Sequence, residues 1–134
     1  MKEIRVAIAG VGNCTSSLVQ GIHYYRDVFK KGEEIIGLAH PMLGGYAPGD
    51  IKIVAAIDVD ARKVGKPLHE AIFAPPNNTK VFYDDFQYDD VTVQMGNILD
   101  GVPSHMEEFP ERQAFRIADA PAATKADIEK ILRD

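Results

Sequence analysis

Gly10 and Gly12 stand directly behind the β-branched apolar run IRVAIAG (4–10), and Asp58 sits where a second such run, IKIVAAIDVD (51–60), gives out. A glycine at the first place allows a tight turn, and a second lets backbone approach a pyrophosphate. The N–H groups and dipole of a following helix attract that anion. A carboxylate ending the next strand accepts ribose hydroxyls. These are the parts of a dinucleotide site. The third glycine of the usual G-x-G-x-x-G pattern would fall at position 15, where Thr15 stands. Asp58 also lies 46 residues past Gly12, where about 20 is usual. Segment 30–50, with five glycines, two prolines and no sustained period, reads as an excursion that accounts for the excess and leaves Asp58 in its structural place.

The same acid bears on the choice of cofactor. A 2′-phosphate opposite Asp58 would meet like-charge repulsion, which favours NAD over NADP. Arg62 and Lys63 could swing round to such a phosphate, but at the start of a helix they read as solvated charges. Cys14 could be an activated thiol at a helix N-terminus; the plainer reading is a small residue packed against cofactor or strand. His23, His40, His69 and His105 never pair at i, i+4, so no zinc site is expected. Asp84, Asp85, Asp89 and Asp90 lack a cation-loop spacing and read as loop solvation. Asn77-Asn78-Thr79 reads as a helix-ending turn. No lysine stands out as a desolvated amine.

The elements that must position these residues follow from periodicity. The run 4–10 has the composition of a strand buried on both faces. From Thr15 to about Phe29, Leu18, Ile22, Tyr25 and Phe29 recur at spacings of four, three and four, which predicts a helix with that stripe inward. Thr15, Ser16 and Ser17 offer hydroxyls for its start. Residues 51–60 form the second strand, and 61–74 a short helix kinked or divided at Pro67. TKVFYD (79–84) and VTVQMG (91–96) have strand composition. Thr124 with Asp127 three residues on predicts a capped helix over 124–134. Strand and helix in alternation predict an α/β fold, a Rossmann-like parallel sheet with flanking helices, in one domain over 1–134. The last helix has no strand to feed, so the sheet is expected to be incomplete.

Composition limits the partners. Fifteen Lys and Arg against 20 Asp and Glu give a net charge of −5 without a basic stripe, which argues against nucleic acid. One cysteine excludes an internal disulfide framework and fits a reducing, cytoplasmic setting. The longest early apolar run, Val6 to Val11, is too short for a signal segment or a membrane span.

VAIAGVGNCTSSLVQGIHYY (6–25) resembles the opening of bacterial and archaeal inositol-3-phosphate synthases, whose G-V-G-N-C-A-S-S-L-x-Q-G segment carries the NAD-binding turn. IKIVAAIDVDARKVGKPLHEAIFAPPNNT is similar to that family's second strand and helix. VTVQMGNILDGV is similar to its V-x-V-x-x-G-x-x-L-D-G-V segment. By this resemblance Gly10, Val11, Gly12, Asn13 and Cys14 match the pyrophosphate loop. Thr15 replaces a common alanine, and Asp58 matches the ribose acid. The resemblance implies NAD as cofactor and a redox-neutral isomerase of inositol and phospholipid biosynthesis. Such enzymes convert D-glucose 6-phosphate to 1D-myo-inositol 3-phosphate by oxidation at C5, enolisation, aldol closure and hydride return. The family's lysines for enolisation and substrate phosphate lie in later segments. This chain is therefore expected to bind NAD without turnover, as a homo-oligomer or with a C-terminal portion missing. The alternatives are a non-catalytic NAD-binding module and the cofactor half of another NAD-dependent oxidoreductase.

Overall fold

The computed structural model describes residues 3–86 and 91–133. Strands β1 (Ile4–Ala9), β2 (Ile51–Asp58) and β3 (Val93–Met95) form one sheet in the order β1-β2-β3. Both pairings are parallel, so the predicted α/β class and sheet are present. Ile4 to Val6 lie opposite Ile51 to Ile53. The register then slips, so that Ala7 lies opposite Ala55 and Ala9 opposite Ile57. This bulge lets Ile8, Ile53, Ala56 and Val93 join one core despite the odd spacing in β2.

A parallel pair needs a crossover, and the first is helix α1 (Asn13–Lys31). Gly32 ends it in the left-handed region at φ 66. There the N–H groups of Gly32 and Glu33 reach the carbonyls of Phe29 and Val28, as a glycine-terminated helix does. Its inner face differs from the predicted stripe. Val19, Ile22 and His23 are buried together with Thr15, Ser16, Gln20 and Val28, while Leu18 is 45% exposed. The cause is that Ser16 and Gln20 satisfy their polar groups internally and so occupy places that an apolar count assigns to the surface. Tyr25 instead holds the 30–50 excursion, donating its hydroxyl to the Ile36 carbonyl at 2.9 Å. Arg26 reaches the carbonyls of Gly49 and Ile51, both at 3.3 Å. The excursion therefore lies against α1, outside the sheet.

The second crossover is less regular than predicted. Helix α2 is one turn, Leu68–Ala71, with Pro67 just before it. The predicted strand at 79–84 is no strand. Gln20 Oε1 accepts the N–H groups of Phe82 and Tyr83 at 2.8 and 3.2 Å, which replaces a ladder partner with a side chain. Leu68, Ala71 and Ile72 fill the core between this segment and the sheet.

Helix α3 (Lys125–Arg133) begins as predicted. Thr124 N–H and Oγ1 donate to Asp127 Oδ2, and Asp127 N–H donates back to Thr124 Oγ1 at 3.2 Å. The helix carries no buried residue. It lies across a groove of about 1000 Å³ from the second sheet face, which presents Lys52, Val54 and Gln94. On that face Arg5, Ala7 and Ala9 are exposed. Thus β1 is buried on one face, not both: α1 and α2 cover a single side, because both crossovers turn with the same hand. Among the described residues no helix is long and apolar enough to cross a membrane.

Candidate functional site

The turn between β1 and α1 lies at the carboxyl ends of the strands, where open parallel sheets place their ligands. Gly10 adopts φ +95, a conformation side chains rarely enter, and its N–H donates to the Ile57 carbonyl at 2.8 Å. Gly12 is different. At φ −93 it caps α1 in an extended conformation open to any residue. A Cβ added to Gly10 or Gly12 would meet nothing within 4 Å. Neither backbone strain nor a neighbour in the chain therefore explains glycine at position 12; open space lies over it.

The first intrahelical bond runs from Ser16 N–H to the Gly12 carbonyl at 2.9 Å, and no side chain caps the helix. This corrects the expectation for the hydroxyls. Thr15 Oγ1 turns back to the Gly10 carbonyl at 2.7 Å, and Ser16 Oγ accepts from Gln20 Nε2 at 3.2 Å. The uncapped N–H groups of the first turn, with the helix dipole behind them, form an anion-attracting end.

Asp58 closes the site from β2 and is 9% exposed. Its Oδ2 accepts the Val11 N–H at 2.6 Å, and its Oδ1 accepts those of Val59 and Asp60 at 2.7 and 2.9 Å. The long excursion has not displaced it from the glycine turn. A carboxylate offers about four acceptor positions, so capacity for one more hydrogen bond remains beside the loop.

Asn13 is exposed, yet its side-chain oxygen is engaged within the chain. Its Oδ1 accepts the N–H groups of Asn78 and Thr79 at 2.8 and 3.1 Å and the Thr79 hydroxyl at 2.8 Å. This pins the 77–79 turn to the start of α1. Cys14, expected to pack, is exposed.

Arg62 and Lys63 are not the solvated charges expected of them. Arg62 forks onto Asp60, Nε to Oδ1 at 2.8 Å and Nη2 to Oδ2 at 2.6 Å. It also donates to the carbonyls of Glu111 and Ala114 at 2.5 and 2.6 Å. Asp60 is fully buried and also accepts the Arg116 N–H at 3.0 Å. Burial pushes its carboxyl up, but the Arg62 hydrogen bonds, the backbone N–H groups and the Arg62 charge outweigh this and hold it below the usual range.

Lys63 is 1% exposed. Its Nζ donates to the Val11 carbonyl at 2.7 Å and to Asn77 Oδ1 at 2.8 Å. Burial pushes the ammonium down from its ordinary value, with Asp58 and Asp60 opposing. The chain therefore does contain a desolvated amine, which the sequence reading missed. Its partner Val11 lies 52 residues away, and only the tertiary structure supplies that pairing.

The remaining candidates are dispersed. His23 packs against the rings of Tyr83 and Phe86, His69 against Phe86, and His40 and His105 are exposed. Asp84 and Asp85 are exposed; Asp89 and Asp90 lie outside the described residues. Among the described residues no three His, Cys, Asp or Glu side chains come together as a metal site.

No family model matches the chain. Curated relatives do. The inositol-3-phosphate synthase of Mycolicibacterium smegmatis is 46% identical over 132 residues, covering 98% of this chain and 34% of that protein. The inositol-3-phosphate synthases of Mycobacterium tuberculosis H37Rv and Corynebacterium glutamicum are 43% and 42% identical, over 94% and 93% of this chain and 35% of each protein. The crystal structure of Ari2 superposes with a TM-score of 0.63 at 36% identity, over 76% of this chain and 31% of that one. The chain spans about a third of the length of the curated relatives it matches, and over that span it belongs to the inositol-3-phosphate synthase family.

Proposed function

We propose that this chain holds the NAD of an inositol-3-phosphate synthase, with Gly10, Val11, Gly12, Asn13, Cys14, Thr15 and Asp58 forming the binding turn. The observation that carries the reading is Gly12: a residue free to be anything by its own backbone, with open space over it, at the uncapped end of a long helix beside a carboxylate. Glycine there is explained by a ligand that must approach closely.

Within the turn, backbone N–H groups bind the pyrophosphate. Asp58 accepts a ribose hydroxyl with its remaining capacity. Val11, Asn13 and Thr15 act through the bonds that hold the loop in shape. The preference for NAD over NADP rests on Asp58, since the two cations that could answer a 2′-phosphate are engaged, Arg62 on Asp60 and Lys63 on Val11.

NAD, when bound, would supply hydride acceptance and return for the conversion of D-glucose 6-phosphate to 1D-myo-inositol 3-phosphate. The chain spans about a third of its relatives, so we assign it the cofactor-holding part of that reaction, in a cytoplasmic, oligomeric enzyme, and no turnover alone. Calorimetric titration with NAD and NADP tests the assignment. Heat with NAD and little with NADP is expected; no heat with either removes the cofactor reading.

A further inference from the structure

We propose that Lys63 is a positioning residue that aims the Gly12 N–H at a bound pyrophosphate, an inference that rests on the cofactor reading above. Val11 is gripped by both of its backbone groups. Its N–H goes to Asp58 at 2.6 Å. Its carbonyl takes the Lys63 ammonium at 2.7 Å and Asn77 Nδ2 at 3.1 Å. Lys63 and Asn77 are bonded to each other at 2.8 Å, and Asn77 is anchored to the Ile72 carbonyl at 2.9 Å. A buried ammonium is costly, yet Lys63 spends its donors on a loop carbonyl instead of a carboxylate.

The consequence follows from peptide planarity. In a trans peptide the carbonyl and the next N–H point in opposite directions. Drawing the Val11 carbonyl inward to Lys63 therefore turns the Gly12 N–H outward. That N–H has no hydrogen-bond partner among the described residues, and the space over Gly12 is open. Without Lys63 the Val11–Gly12 peptide would keep only the longer Asn77 bond and be freer to rotate, and the donor would lose its aim. The positive charge lies one peptide behind the anion site and adds to the dipole there.

The test is titration of NAD into the purified chain, followed by calorimetry and by amide resonances, for wild type and Lys63→Met. In wild type the Gly12 amide proton should move downfield on saturation. In Lys63→Met the dissociation constant should rise at least tenfold and that shift should be lost, with the resonances of α1 and β2 retained. A Lys63→Met protein that binds with wild-type affinity and wild-type Gly12 shift overturns the proposal. So does a wild type that binds NAD while its Gly12 amide stays unmoved, and the cofactor reading then stands. A wild type that binds no NAD sinks the cofactor reading and the proposal with it. If Lys63→Met does not fold, Lys63→Leu, which likewise has no donor for the Val11 carbonyl, takes its place: loss of affinity and of the Gly12 shift is expected, and wild-type values for both refute the proposal.

Discussion

At the scale of single residues, buried charges do most of their work on backbone groups. Asp58 accepts three N–H groups, so Asp58→Ala should destabilise the chain as well as weaken NAD binding. The expected cost is about 1–3 kcal/mol, read from urea midpoints. Asp58→Asn keeps an acceptor oxygen and should retain most of that stability while losing the charge that disfavours NADP. The Asp60–Arg62 pair gives a pH dependence. The Asp60 carboxyl lies below its ordinary 3.8 when folded, so its contribution is complete above 3.8 and is lost as pH falls through the folded value. Urea midpoints measured down through that range should drop more steeply for wild type than for Asp60→Asn. Arg62→Met leaves a buried carboxylate without its cation and should cost roughly 2–3 kcal/mol, moderated by the partial exposure of Arg62.

Among the elements, legibility tracked how local each signal was. The cap of α3 is a contact between residues three apart, and Thr124 with Asp127 forms it as predicted. The strands 4–9 and 51–58 were legible because a parallel strand is a continuous β-branched run. The inner face of α1 was not, because Gln20 is buried by bonds to Lys80, Phe82 and Tyr83, about sixty residues on. The same bonds took 79–84 out of the strand class. Gln20→Ala should therefore release that segment, at about 1–3 kcal/mol, with proteolytic cleavage near 80–86 rising before global unfolding. At the end of β3, a Cβ on Gly96 would come within 2.5 Å of Ile57 Cγ2. Gly96→Ala should cost about 1–3 kcal/mol by overpacking, measured as a lowered thermal midpoint.

For the whole molecule, one covered sheet face and one open face are the governing fact. The core lies between α1, α2 and the sheet, whereas α3 spans a groove over the other face without burying a residue. Incubation of the chain with glucose 6-phosphate and NAD should yield no inositol phosphate; measurable turnover would overturn the assignment of this chain to cofactor holding alone.

The sequence by itself determined the strands at 4–9, 51–58 and 93–95, the glycine turn, the acid that meets it and the family, because each is written in runs of neighbouring residues. Only the tertiary structure decided what the polar residues around that turn do. Asn13 and Thr15 brace the loop, Arg62 is withdrawn onto Asp60, and Lys63 holds the Val11 carbonyl. The physical reason is that a polar side chain, exposed like Asn13 or buried like Lys63, takes its role from its hydrogen-bond partner, and Asn78 and Val11 lie more than fifty residues away from them.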